Sequence, residues 1–597
     1  MSMPISILLD DARNGRLRCY AAPFAAIQAT GPGEIPSALA RLEQAVKCGA
    51  HAAGYFSYEL GYALEPRLAP LLPRDRAVPL LWFGLFDRVE ELEGQSAAAA
   101  LESQVAGRAY AGPLAHEWSE AAYAARFLRV HDYIQAGDIY QANLSFRSRF
   151  AFAGDPMALY LRLRARSAAA HGAFIHDGAR HILSLSPELF FDLSSASLLT
   201  AKPMKGTIAR GPDAASDRAN RARLATSEKD RAENLMIVDL LRNDLGRIAE
   251  IGSVTVEDLF AVETYPTLHT MVSTVSAGMR HGTAISDIVR AIFPCGSVTG
   301  APKIRAMEIV REMESSPRGV YCGAIGHFAP DGAANFNVAI RTLTVAGGGG
   351  ELGIGGAVVH DSQSAAEYAE CLLKARYYDS VRRPLALIET LRFSPTEGFI
   401  RRDRHLARMS ASAEALGLPF DGQSARSELD RALRARGEGA NTGDLRIRLT
   451  LNESGAFHAT AAPLGEAKPH WTYAISPVRV SSPDILARHK TDWRDLHESE
   501  HARLSAETGC DETVFLNERG EIAEGSRTNV FVRIGGRLFT PPLAAGILDG
   551  VLRRELLDSG RCAERTLAPE DLASADEVLL GNSLRGLTPA TPTGNNG

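Results

Sequence analysis

The helical run AAEYAECLLKARYYDSV, residues 365–381, ends on Arg382-Arg383-Pro384, and a proline at that point cannot continue the backbone hydrogen bonding of the helix. In a chain of 597 residues, several times what one core usually serves, this stop reads as a boundary. We expect two folded parts, 1–384 and 385–587. A tail at 588–597, TPATPTGNNG, has nothing to bury and should be disordered. Hydrophobic residues at 45% supply apolar material for both cores. Lys plus Arg number 65 against 71 Asp plus Glu, a net charge of -6, so no overall positive field attracts nucleic acid or an anionic membrane, and neither is expected as a partner. Seven cysteines without a Cys-x-x-Cys pair suit a reduced compartment. The N-terminus meets Asp10 and Asp11 before an apolar run reaches signal-peptide length, and no stretch approaches the ~18 to 20 apolar residues of a membrane span. A cytoplasmic enzyme is the expectation.

The pattern along the first part mixes the two periodicities. NVAIRTLTV, then Gly347 to Gly350, then ELGIGGAVV reads as two strands around a glycine turn. Glu228 to Glu250 carries a helical stripe at Leu235, Val238, Leu241 and Leu245. Helices and strands interleave without the regular alternation of a doubly wound sheet, so an α+β fold is expected.

Several charged residues in the first part could carry chemistry. Asp230 with Glu233, and Glu367 with Glu370, stand three apart on predicted helices, so each pair shares a face and could offer oxygen ligands to magnesium. Surface acids at this spacing are also common, and Ser364-x-x-Glu367 is a capping box that would engage Glu367 instead. Glu188 follows the strand-like HILSLS, and Lys205 follows LLTA. Both stand at the ends of strands that could pair, in position for proton transfer or covalent work. Arg341, alternating along NVAIRTLTV, would point to a sheet face where it could grip a carboxylate, unless it is an ordinary edge charge.

The ordered runs YQANLSFR, SLSPELFF, KPMKGT, EKDRAENLMIVDLLRNDLGR, FPCGSVTGAPKIRAMEIV, YCGAIGHF and GGAVVHDSQSAAEYAE resemble the motif series of chorismate-utilizing enzymes over most of 120–380. PMKGT is similar to the PIKGT signature of the aminodeoxychorismate synthase component I branch, whereas anthranilate synthases carry alanine where Lys205 stands. The resemblance implies a layered α/β sandwich that aminates chorismate. Glu188 would be the acid, Lys205 the nucleophile, and Glu233, Glu370 and Glu367 the magnesium ligands. Gly206, Thr207, His269, Tyr321, Arg341, Gly355 and Gly356 would surround the substrate. No Gly-x-Cys-x-Gly glutaminase turn occurs in the chain, so the resemblance implies a separate glutamine amidotransferase that supplies ammonia.

In the second part, GILDGVLR (546–553) is a glycine turn running into an amphipathic helix, whose free N–H groups could hold a phosphate. Ser583 could add a hydroxyl. Each feature is weak alone. The order HLARM, ARHKTDWR, GEIAEGSRTNVF and the glycine turn resembles fold-type IV pyridoxal phosphate enzymes, aminodeoxychorismate lyase in particular, with the two-lobed fold of D-amino acid aminotransferases. The resemblance implies that Lys490 bonds the cofactor. It also implies that Glu524 pairs with the pyridine nitrogen, that Arg408, Gly550, Val551 and Ser583 meet the phosphate, and that this part carries a homodimer contact. The two resemblances connect, because the product of the first is the substrate of the second. Rival readings are an anthranilate synthase component I joined to a branched-chain or D-amino acid-type transaminase, and an inactive second part that serves as a scaffold.

Overall fold

The computed structural model describes residues 5–265, 268–435 and 443–594. They form two compact units, one of residues 1–104, 114–150 and 160–381 and the other of residues 105–113, 151–159 and 382–597. The second unit therefore takes two short segments from the first part of the sequence, which the reading at Pro384 did not foresee.

The first unit is built on two large antiparallel sheets. One contains, in path order, the strands Gly349–Val358, Thr342–Ala346, His181–Ser186 and His171–His176, and the other contains Met204–Ala209, Leu268–Gly278, Leu198–Ala201, Leu189–Leu193 and Ala334–Val338. The helix Glu228–Gly246 buries Ile237, Val238, Leu241 and Leu245 in one core with Phe190, Phe191, Val275 and Ala277. Its buried face is rotated from the expected stripe. Asn234 and Asp244 lie on it, while Leu235 is 44% exposed, because the polar pair finds buried partners that hydrophobic periodicity does not register.

The second unit holds a four-stranded antiparallel sheet that includes Leu387–Ser394 and Leu445–Leu451, and an eight-stranded sheet that includes Glu512–Asn517, Ile522–Gly525 and Glu577–Asn582. Tyr110 and Ala153, from the two early segments, pack in a core with Leu387, Leu391 and Leu449. Arg108 anchors this arrangement by donating to Asp484 at 2.7 Å and to the Trp493 carbonyl at 2.9 Å. Both units mix helices and sheets, and among the described residues no helix is long and apolar enough to cross a membrane.

Three expectations need correction. NVAIRTLTV is not one strand: Ala334–Val338 and Thr342–Ala346 belong to different sheets, and Arg341 sits at the bend between them with φ 49°. HILSLS and LLTA likewise lie in different sheets and do not pair. The tail is not wholly loose, since Gly586–Pro592 is a strand paired with Glu577–Asn582 and, through Ala590, with Trp471. Thr588 and Ala590 alternate inward and are buried, so this short polar run is held by ladder hydrogen bonds and one inward face. Residues 595–597 lie outside the described residues.

Candidate active sites

In the first unit a bulge places the lysine. The strand Met204–Ala209 pairs with Leu268–Gly278 as Met204 to Val272 and then Thr207 to Thr270, so Lys205 and Gly206 supply one extra residue. A bulge of this kind turns the strand and re-aims a side chain. Gly206 has φ 80°, and a Cβ there would come within 2.7 Å of Asp230 Oδ1, so only glycine suits the turn. Lys205 is half-buried among Glu233, Lys374, Glu188 and Glu370. Burial lowers its pKa, the three carboxylates work against that, and Lys374 adds to it.

Glu188, 4% exposed, follows the strand His181–Ser186, and its amide donates to Ser186 Oγ at 3.2 Å. Burial pushes its carboxyl up to about 7. A hydrogen bond from Ser297, the charge of Lys205 and the Met204 amide restrain the rise. An acid poised there carries a proton in a large fraction of molecules near neutrality, as a general acid requires.

The three acids expected to hold magnesium are distributed over two helices, Glu233 on Glu228–Gly246 and Glu367 and Glu370 on Ser364–Asp379. Among the described residues no three His, Cys, Asp or Glu side chains gather as a metal site. Glu370 is bonded by Lys374 at 2.9 Å, and Glu367 accepts from Ser362 Oγ at 2.7 Å. The Ser362 bond replaces the expected capping box, and Ser364 Oγ is left buried without a partner. The donor chemistry nonetheless suits a hard cation. Glu233 is raised by burial and by the nearby Asp230 and Glu367, with only Lys205 and Lys229 opposing, so its negative neighbourhood is incompletely neutralised.

The other residues expected around the substrate sit in varied surroundings. His269, 1% exposed, has Thr264 Oγ1 at 2.9 Å from Nδ1 and Asp217 Oδ1 at 2.9 Å from Nε2, so both ring nitrogens are occupied. Tyr321 is buried with the Arg147 guanidinium 5.6 Å over its ring. Arg341 lies near Tyr377, and burial lowers its pKa. Thr207 is exposed, while Gly355 and Gly356 lie on the strand Gly349–Val358 beside Ser145 and Glu367 respectively.

The second unit gathers a different cluster. The Ile388 amide donates to the Lys490 carbonyl at 2.8 Å, which ties the lysine loop to the strand that carries Glu389. Lys490 is lowered to about 8 by burial and by Arg408, with Arg494 and Arg448 adding and Glu389 opposing. Glu389, 1% exposed, accepts from Arg408 at 2.9 and 2.7 Å and from His405 Nδ1 at 2.5 Å. Burial lowers the pKa of His405 while Glu389 opposes that, and its Nε2 lies 2.7 Å from Ser583 Oγ. Arg408 also donates to the Asp549 carbonyl at 3.0 Å. Gly550 caps the helix Val551–Asp558, and a Cβ there would fall 1.9 Å from Asn529 Oδ1. Glu524 accepts from the Leu548 amide at 2.9 Å and stands 3.5 Å from His497 Nε2.

This cluster fits pyridoxal phosphate on the chemistry of its donors. Three arginines near one half-buried lysine suit an anionic phosphate, and a glycine helix start can receive it. Sequence reasoning missed Glu389 and His405. His405 lies within HLARM, but nothing in LALIETLRF marks Glu389 as anything except a polar strand position. Lys374 was also missed, although its place four residues after Glu370 was a signal.

The buried trio has a measurable consequence. Burial would raise Glu389, yet Arg408 and His405 pull it from the ordinary 4.5 down to about 2. A depressed carboxyl contributes stability above its unfolded pKa and loses it as pH falls through the folded one, here between 4.5 and about 2. Glu389→Gln is therefore expected to cost about 3 kcal/mol at pH 7 and little at pH 2. Equal losses in chemical denaturation at both pH values would refute this.

Two family models match the chain, chorismate binding enzyme over residues 5–378 and amino-transferase class IV over residues 386–592. Aminodeoxychorismate synthase component 1 of Escherichia coli (strain K12) is 39% identical over 355 residues, covering 57% of this chain and 77% of that protein. The solved anthranilate synthase component I from Streptococcus pneumoniae is 24% identical and covers 63% of this chain and 92% of its own, with a TM-score of 0.52, which shows a shared fold. A solved chain from Mesorhizobium loti, provisionally named an amino-acid aminotransferase, is 42% identical and covers 35% of this chain and 99% of its own, with a TM-score of 0.33.

Proposed function

Because the chain belongs to the chorismate-binding enzymes through residues 5–378 and continues into a class IV aminotransferase segment, we propose that it makes 4-aminobenzoate in two steps. The first step aminates chorismate to 4-amino-4-deoxychorismate, and the second eliminates pyruvate from that product. The observation that carries the reading is the meeting of Lys205 and Glu188 beside the acids Glu233 and Glu370.

Glu188, at about 7, gives its proton to the C4 hydroxyl of chorismate, which leaves as water. Lys205 attacks C2 as the free amine, and its burial enlarges the neutral fraction. Ammonia then adds at C4 and Lys205 leaves C2. Magnesium, when bound by Glu233, Glu367 and Glu370, would neutralise the ring carboxylate. The ammonia comes from a glutamine amidotransferase partner, since ammonium itself has no lone pair to donate.

In the second unit Lys490, at about 8, accepts the C4 proton of the aminated ring. Arg408, Gly550, Val551 and Ser583 would hold the phosphate of pyridoxal phosphate, and Glu524 its ring nitrogen. The cofactor, when bound, supplies an electron sink for the charge left at C4. The second unit would also carry a homodimer contact, and the cytoplasm is the proposed location.

The test supplies chorismate, magnesium and ammonium at alkaline pH and separates the aromatic products by chromatography. 4-Aminobenzoate and pyruvate are expected in equal amounts. Accumulation of 2-aminobenzoate would favour the anthranilate reading and end this one.

A further inference from the structure

Glu188 has a buried partner that the reaction scheme above does not use. Ser297, 3% exposed, sits in the one-turn element Gly296–Val298 and donates from Oγ to Glu188 Oε1 at 2.7 Å. The turn is fixed from several sides. Asn143 Nδ2 donates to the Ser297 carbonyl at 3.2 Å, and Thr299 Oγ1 donates to the Cys295 carbonyl at 2.9 Å. Gly296 is bare because a Cβ would fall 2.2 Å from Leu240 Cδ2.

The direction of the bonds follows from the proton inventory. A serine hydroxyl has one proton, and a carboxylate can only accept. The other neighbour of Ser297 Oγ is Cys295 Sγ at 3.2 Å. Burial pushes that thiol up to about 12, so it keeps its proton and donates it to Ser297. The chain therefore runs from Cys295 S–H to Ser297 O–H to Glu188 Oε1. Besides Ser297, the groups facing the Glu188 carboxyl are Lys205, the Met204 amide and the Cys295 thiol, and Lys303 acts on that thiol.

We infer that Ser297 is a positioning residue for Glu188, holding Oε1 so that the proton delivered to the C4 hydroxyl is carried on Oε2. The inference rests on the proposed role of Glu188 as the acid of chorismate amination. A proton confined to one oxygen leaves along one direction, which matters where a donor must be aligned with a departing oxygen. The same bond stabilises the carboxylate, so it also sets the pH at which the acid is spent.

The test measures kcat against pH for 4-amino-4-deoxychorismate formation by the full-length protein at saturating ammonia, in wild type, Ser297→Ala and Ser297→Thr. Loss of the donor destabilises the charged form of Glu188, so its carboxyl titrates higher. In Ser297→Ala the high-pH limb should move up by about one unit. Its kcat on the plateau should fall about tenfold with KM for chorismate nearly unchanged, and Ser297→Thr should restore both. Ser297→Cys, with a weaker donor, should give an intermediate limb and serves if the alanine variant does not fold. A limb left at the wild-type pH in Ser297→Ala or Ser297→Cys overturns the inference, whatever happens to kcat. Wild-type protein that makes no aminated product would overturn the proposed function, and a high-pH limb that survives in Glu188→Gln would remove Glu188 as the acid. The two failures are thus distinguishable.

Discussion

Lys490→Ala is expected to yield colourless protein and to lower pyruvate release from 4-amino-4-deoxychorismate by about three orders of magnitude or more, the scale of losing both a covalent anchor and a general base. The cause lies in the burial that, with Arg408, lowers this lysine to about 8. An amine at that value is uncharged often enough to bond an aldehyde and to take a proton from carbon. Alanine at 490 can do neither. The measurements are the absorption spectrum after incubation with pyridoxal phosphate, and pyruvate formation from supplied substrate. A melting curve near that of wild type would show that the fold survives. A variant that keeps the colour and the turnover would remove Lys490 from the reaction. Wild-type protein that fails to bind added pyridoxal phosphate would favour the scaffold reading of this unit.

Lys205→Ala should disable the first step, with 4-amino-4-deoxychorismate formation falling at least a hundredfold. Pyruvate release from supplied 4-amino-4-deoxychorismate should stay unchanged. The bulge at Lys205 and Gly206 turns this side chain among Glu188, Glu233 and Glu370, and no other lysine occupies that bulge. In wild type the rate should rise with pH as Lys205 loses its proton, and fall as Glu188 is spent above about 7. The variant should lack the rising limb at any residual rate. Full activity without Lys205 would make the attack on C2 untenable and would leave direct addition of ammonia as the chemistry of this site.

The motifs made much of the chemistry legible, because each key group stands in a local run with a physical signature. Lys205-Gly206-Thr207 is a bulge in miniature, since a glycine with positive φ has to follow the lysine. Gly550 before an amphipathic stretch marks a helix start. Other features do not show in any local run, for a common reason. Arg341 was assigned to a strand face from its alternation, but alternation does not show where a chain leaves one sheet for another. The partner of His269, Asp217, stands 52 residues earlier, and no local run announces it. The stripe at Leu235 missed Asn234, which is buried with Ser273 donating to its Oδ1 at 2.5 Å.

What the sequence alone determined is the division into two cores, the mixed architecture, and the candidates for giving protons, attacking carbon or receiving a phosphate. These follow from side-chain type and from periodicity, both properties of neighbours along the chain. Tertiary structure alone decided who faces whom. It set Ser297 against Glu188 across 109 residues and His405 against Ser583 across 178, and it drew Tyr110 and Ala153 into the core of the second unit. It also paired the polar end of the chain as a strand. The physical reason is that a hydrogen-bonding group reports its need for a partner but not the partner's address, which is set only when distant strands find their register.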